Sequence, residues 1–214
     1  MNYKDSTLLI TAAGHGKRFG MPKFKAVLDH QPMILKTISA FSEQTFFKQC
    51  LVTISREDFQ ELKQLLENKY WPFPVQIVIG GETRAISVKN AVDLVHTEFV
   101  WIHDGARPFV SQALIYRLYH ASRIHDAVIP VIDEVDTLKE VKEGYVLRTV
   151  ERNVFKRVQT PQVFKTHCLK EAYQSFFNKS QTDESGLVEK TKVPVYVVEG
   201  EINNKKITFQ TDIA

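Results

Sequence analysis

The chain has 214 residues, 43% of them hydrophobic and 25% charged, and carries a net charge of +3. That length and balance describe a water-soluble globular chain with enough apolar content for a substantial core. A net charge this small gives no ground for a nucleic-acid or membrane-surface partner, and no apolar run approaches the roughly 20 residues of a membrane span.

The opening stretch, Met1 to Ser6, is polar and includes Lys4 and Asp5, so no signal peptide is expected. Cys50 and Cys168 stand far apart, in no metal-ligand spacing. They read as free thiols in the core of a protein from a reducing compartment, which points to the cytoplasm. No repeat, low-complexity tract or linker divides the chain, so residues 1–214 are read as one domain.

In chain order, short β-rich apolar runs alternate with amphipathic stretches. The runs TLLIT (7–11), QCLVTIS (49–55), VQIVIG (75–80), FVWIH (99–103) and AVIPV (127–131) are almost continuously apolar. That is how strands buried on both faces read. Between them, Pro32 to Glu43, Arg56 to Lys69, Ala85 to His96 and Ser111 to Ile124 are each predicted helical. The alternation predicts an α/β fold: a mostly parallel sheet with helices on both faces. It breaks after Val131, where polar and apolar residues alternate about KEGY (142–145), a hairpin signal rather than another crossover helix. A projecting hairpin exposes an edge that pairs readily. Residues 132–157 are therefore read as a β-arm used for dimerisation, with a plain extra hairpin as the alternative.

In an open parallel sheet, ligands gather beyond the carboxyl ends of the strands. After the first strand comes AAGHGKRFGMPK, where small residues let backbone N–H groups approach a phosphate and Lys17, Arg18 and Lys23 crowd the same turn. Gly14, Gly16 and Gly20 resemble a loose dinucleotide fingerprint, but the third glycine falls four residues after the second instead of three. A turn so rich in cations suits a triphosphate and developing negative charge. The third strand is followed by GGETRAISVKN, with a glycine pair, an Arg and a Ser ahead of a helix. The fourth is followed by HDGARPFV, with Asp104 at the strand end. A carboxylate beside a phosphate pocket commonly holds a divalent cation such as Mg²⁺, and a helix cap or turn residue is the alternative for Asp104. The seven histidines are scattered, and no nucleophile–base constellation is apparent. The chemistry suggested is positioning and charge neutralisation, as in nucleotidyl transfer.

The segments AAGHGKRFGMPK, GGETRAISV, HDGARPFV, DTLK, TVERN, QTPQVF, DESGLVE and NNKKIT follow one another across nearly the whole chain. This ordered set resembles the 2-C-methyl-D-erythritol 4-phosphate cytidylyltransferases, with HDGARP and QTPQVF the most specific pieces. The resemblance implies a Rossmann-like homodimer that joins CTP to a polyol phosphate and releases pyrophosphate, with Mg²⁺ as cofactor. It further implies that Ala12, Ala13, Gly14 and Gly16 hold the nucleotide. Arg18 and Lys23 would stabilise the α-phosphate, and Gly81, Glu82 and Ser87 would contact cytosine and ribose. Asp104 would meet the metal and the substrate, with Arg107 in the same loop. Thr137 and Arg152, carried on the arm, would reach the polyol phosphate of the other subunit, where Thr160 and Lys206 complete the pocket.

The chain departs from the family pattern at several points. Glu82 stands where Asp is common, and Arg18 and Lys23 are separated by a shorter run. PKFKAVL replaces the usual Gln and aromatic, which makes Lys25 an added cation, read as a surface residue with a phosphate contact as the alternative. Three additional residues precede DTLK, which bears on Thr137, and the chain ends at TDIA where the pattern continues into a helix. Three other functions compete. Enzymes making CDP-ribitol from ribitol 5-phosphate share the fold and most motifs, but SVKNAV and TVERN favour methylerythritol phosphate. A non-catalytic nucleotide-binding module would lack a cation or the carboxylate, and Arg18, Lys23, Asp104 and Lys206 are all present. An NAD-dependent dehydrogenase requires the glycine spacing that fails here.

Overall fold

The computed structural model describes residues 4–14 and 19–213. Strands β1 (Ser6–Thr11), β4 (Phe47–Ile54), β5 (Val75–Ile79), β6 (Phe99–Asp104) and β7 (Ala127–Asp133) form where the apolar runs predict them; the two-residue β2 (Val27–Leu28) and β3 (Gln31–Pro32) pair only with each other. The four predicted helices are α1 (Met33–Ser39), α2 (Phe59–Glu67), α3 (Arg84–Val92) and α4 (Gln112–Ser122). Local hydrogen bonds set their starts. Ser55 and Asp58 bond each other at 2.7 Å, holding a turn that delays α2 to Phe59. The Thr83 hydroxyl accepts the Ile86 N–H at 3.2 Å and starts α3 one residue early, and Ser111 accepts the Leu114 N–H at 3.0 Å to cap α4.

The main sheet has eight strands, and its spatial order follows the pairing. β5, β4, β1 and β6 run parallel in that order. Next comes an antiparallel line made of β11 (Gln162–Lys165) and β10 (Lys156–Val158), then β7, and finally β12 (Val195–Glu199) parallel to β7 at the edge. Successive residues of β1 face opposite layers. Leu8 and Ile10 join Phe41, Phe47 and Trp101 under α1, α2 and α4. Leu9 joins Val88, Ile102, Phe164 and Leu169 under α3 and α5 (Thr166–Phe176). Apolar packing on both faces is why these strands lack alternation.

The hairpin forms as β8 (Leu138–Lys142) and β9 (Tyr145–Val150), closed by Glu143 and Gly144 at φ of 52° and 86°. Two consecutive positive φ angles match the twist of a two-residue hairpin loop. The chain leaves the sheet after Asp133 and returns at Lys156, which pairs with it, so the segment off the main sheet is 134–155, two residues shorter at each end than the expected 132–157. The final quarter adds elements that the alternation does not predict: β11, α5, the one-turn α6 (Ser185–Val188) and β12. Both cysteines are buried and unpaired. Among the described residues no helix is long and apolar enough to cross a membrane.

Candidate active site

The chain builds β1, β4 and β5 outward in one direction, then crosses back to lay β6 on the other side of β1. The connections leaving β1 and β6 therefore part at their carboxyl ends, which opens a crevice there. Thr11 and Asp104 are register partners at its floor. A cavity of about 310 Å³ fills the crevice. Its walls include Ala12, Ala13 and Gly14 after β1, Lys23, the Gly81–Glu82 turn and Ser87 before and on α3, Asp104 after β6, and Lys206 from the distant 200s loop.

The Gly81 turn is held from α3. The Ser87 hydroxyl accepts the Gly81 N–H at 3.0 Å and donates to the Thr83 carbonyl at 2.9 Å. Space there is tight: a Cβ on Gly81 would lie 2.2 Å from the Ile86 side chain, and one on Gly80 would lie 2.7 Å from Ala13. These glycines bring two strand-end loops within packing distance, a close approach that a side chain would block.

Asp104 is the electrostatic centre. Lys206 Nζ lies 2.8 Å from Oδ2, Arg107 Nε 3.6 Å from Oδ2 and Arg84 Nε 3.7 Å from Oδ1. The Thr11 hydroxyl approaches Oδ1 at 3.4 Å. Burial alone would raise the Asp104 carboxyl, but the charges of Lys206, Arg84 and Arg107 outweigh it and hold the group ionised, well below the carboxylate range. Both arginines are anchored elsewhere. Arg84 Nη1 and Nη2 meet the two oxygens of Glu184 at 2.9 and 3.0 Å, and Arg107 Nη1 donates to the Asn204 carbonyl at 2.8 Å.

A buried network fixes the loop behind Asp104. The Asp104 N–H donates to the Thr160 hydroxyl at 3.0 Å, and that hydroxyl lies 3.0 Å from His103 Nδ1. His103 Nε2 lies 2.9 Å from the Arg107 carbonyl. A carbonyl only accepts, so Nε2 carries the proton and Nδ1 accepts from Thr160. Burial drives the His103 pKa down to about 4, so the imidazole is neutral near pH 7. Asn204 donates to the Thr160 carbonyl at 2.8 Å, and the Gln159 amide bridges Glu201 at 2.7 Å. The 200s loop is thereby tied to the 159–160 segment, which places Lys206 over Asp104.

A second cavity of about 330 Å³ lies beyond this wall. Arg84, Asp104 and Lys206 line both cavities, and Arg107, Thr160 and Asp183 line the second alone. Arg107 Nε is buried without a hydrogen bond among the described residues.

Of the residues singled out from sequence, Ala12, Ala13, Gly14, Lys23, Gly81, Glu82, Ser87, Asp104, Arg107, Thr160 and Lys206 thus meet around these two spaces. Lys23 donates to the Ile207 carbonyl at 3.1 Å. Gly16 and Arg18 lie outside the described residues. Thr137 and Arg152 lie on the arm and line neither cavity; Arg152 borders a separate hollow at the arm's root, where it bonds the Val135 carbonyl. Lys25 pairs with Glu61 at 2.9 Å on the surface, as its surface reading expects. Sequence reasoning passed over His103, Glu184 and Asn204. It noted the Arg before α3 but gave Arg84 no role. The signal for all three is membership in HDGARP, NNKKIT and DESGLVE, but nothing in DESGLVE separates Glu184 from its fellow acids Asp183 and Glu189.

Comparison with known proteins bears on this arrangement. Residues 7–214 match the family described as 2-C-methyl-D-erythritol 4-phosphate cytidylyltransferase. An enzyme of that name from Bacteroides fragilis is 41% identical over 210 residues, covering 97% of this chain and 95% of that one. Another from Bacillus anthracis is 39% identical over 214 residues, covering 97% and 94%. Among solved structures, the 4-diphosphocytidyl-2C-methyl-D-erythritol synthase of Anaerococcus prevotii superposes with a TM-score of 0.83 at 30% identity, covering 97% of this chain and 94% of that one. The Thermus thermophilus 2-C-methyl-D-erythritol 4-phosphate cytidylyltransferase gives 0.78 at 30% identity, with the same coverage. Sheet order, the crevice at β1 and β6, and a match over almost the whole length lead to one conclusion: the chain belongs to the 2-C-methyl-D-erythritol 4-phosphate cytidylyltransferase family.

Proposed function

We propose that the crevice joins CTP to 2-C-methyl-D-erythritol 4-phosphate, giving 4-diphosphocytidyl-2-C-methyl-D-erythritol and pyrophosphate. The observation carrying this reading is the wall of Arg84, Asp104 and Lys206 shared by two adjoining cavities. One space takes the nucleotide and the other the polyol phosphate. A phosphate oxygen of the polyol forms a bond to the α-phosphorus of CTP, the α–β bridging bond breaks, and pyrophosphate leaves with its electron pair.

Both reactants are anions, so repulsion opposes their approach. Lys23 and Lys206, with Arg18 and the partner-reaching Arg152, offset it by placing positive charge where negative charge develops. Ala12, Ala13, Gly14 and Gly16 give the nucleotide a close backbone surface, and Gly81, Glu82 and Ser87 border the nucleoside. Asp104, Arg107, Thr137, Arg152, Thr160 and Lys206 bind the polyol phosphate. No cluster of three or more His, Cys, Asp or Glu stands ready for a metal among the described residues. A lone carboxylate such as Asp104 nonetheless fits Mg²⁺, which is commonly held through one or two carboxylates and substrate phosphates. Mg²⁺ bound by Asp104 and the triphosphate would neutralise phosphate charge. The reading extends to one domain over residues 1–214, a cytoplasmic location and a homodimer formed through the arm.

Pyrophosphate release from CTP and Mg²⁺, run in parallel with methylerythritol phosphate and with ribitol 5-phosphate, tests the function. Release with methylerythritol phosphate alone is expected. Release with ribitol 5-phosphate alone would overturn the polyol assignment, and release with neither would overturn catalysis.

A further inference from the structure

Three cations surround Asp104, yet only Lys206 reaches hydrogen-bonding distance, at 2.8 Å. Arg84 stops at 3.7 Å. The cause lies on its far side. Glu184, fully buried ahead of α6, takes both terminal nitrogens of Arg84 in a two-pronged pair at 2.9 and 3.0 Å. The Tyr173 hydroxyl donates to the same carboxylate at 3.3 Å, so Glu184 is itself fixed. A guanidinium whose strongest donors are engaged in a planar fork offers its other neighbour only the Nε edge. Without that fork, the nearest anion for Arg84 is Asp104.

We propose that Glu184 is a positioning residue: by gripping Arg84 it keeps the guanidinium off Asp104 and so leaves Asp104 Oδ1 available to the substrate. The proposal rests on the assignment of Asp104 to the substrate site. Burial of a complete ion pair does not by itself argue for stability, because an apolar pair of like volume often serves as well. Geometry gives this pair another use, since it spans from the core to the wall between the two cavities.

Charge and length separate the positioning role from packing. Glu184→Gln keeps the shape but removes the charge, and turns an amide NH₂ toward a guanidinium that needs an acceptor. Glu184→Asp keeps the charge and shortens the reach. The measurement is KM and kcat for methylerythritol phosphate at saturating CTP and Mg²⁺, with the unfolding midpoint of each variant. For Glu184→Gln, KM is expected to rise about tenfold while kcat changes less than about threefold; for Glu184→Asp, KM is expected to stay within about threefold of the parent. A packing role predicts the reverse ranking, and that result overturns the proposal, as does a fall in unfolding midpoint with KM unchanged in both. If Glu184→Gln does not fold, a tenfold KM rise in Glu184→Asp overturns it equally. Asp104→Asn, measured alongside, separates the two levels. Unimpaired turnover there removes the site assignment, whereas impaired turnover with a normal Glu184→Gln removes only the role of Glu184.

Discussion

The crevice floor and the arm use the same residue types to opposite ends. At Asp104 a buried carboxylate meets the half-covered Arg84 and Arg107 and the exposed Lys206, and the covered groups are each held by a segment distant in sequence: Glu184 on Arg84, Asn204 on Arg107, Thr160 on the Asp104 backbone. On the arm, Arg148 pairs with Glu140 at 2.6 Å across the hairpin with both side chains exposed. There, Tyr145 and Val146 stand 77% and 61% exposed, and Val154 73%. A buried charge set is expensive to disturb, because any partner removed leaves another uncompensated. An exposed pair contributes little, and apolar side chains in water call for cover. The floor is therefore completed by its own chain, while the arm leaves apolar side chains without cover among the described residues, as the proposed dimer requires.

Six substitutions probe that contrast, beginning with the strongest. Lys23→Ala should lower turnover about 10²–10³-fold, the loss of roughly 3–4 kcal/mol of charge stabilisation, and Asp104→Asn, which removes the carboxylate proposed to hold Mg²⁺ and to anchor Lys206, should lower it as well. Steady-state pyrophosphate release checks both, and near-parental turnover in Lys23→Ala would refute the first-loop assignment. Next is His103. Burial brings it to about 4 in the folded chain against an ordinary 6.5. Between these values only the unfolded chain takes up the proton, so stability is full above 6.5 and falls as pH drops toward 4, by about 3 kcal/mol. Unfolding midpoints measured from pH 7 to 4 should show that slope, and His103→Gln should flatten it; an unchanged slope assigns the acid sensitivity elsewhere.

Gly81→Ala is expected to cost about 1–3 kcal/mol through overpacking against Ile86 and to weaken CTP binding, read by calorimetric titration. The smallest effect belongs to the arm. Arg148→Ala should change stability by less than about 1 kcal/mol. Val146→Asp should likewise leave the unfolding midpoint of the isolated chain near its parent value. Sedimentation should nevertheless show it as a monomer where the parent is expected to run as a dimer; a Val146→Asp chain that stays dimeric removes the arm from the interface.

Much of the fold was readable because it is written locally. Five apolar runs, four amphipathic stretches and the KEGY turn depend on residues within a few positions of one another, so strands, helices and hairpin appear, with the starts of α2 and α3 shifted by the Ser55–Asp58 turn and the Thr83 cap, and with α1 and α3 ending at Ser39 and Val92, short of the predicted Glu43 and His96. Strand ends then located the crevice, and motif order brought in Lys206 and the arm residues Thr137 and Arg152. The β11 strand was not readable: four residues antiparallel between two parallel strands carry no periodic signal of their own. Nor was the set of contacts behind the floor. Arg84 and Glu184 are 100 positions apart, and Thr160 and His103 57 apart. Local sequence selects a conformation through backbone sterics and apolar period, which act over one or two turns. Which charge faces which, which histidine is neutral and which arginine is held back depend on closing loops of dozens of residues, and only packing of the whole sheet brings those groups within the few ångströms over which hydrogen bonds act.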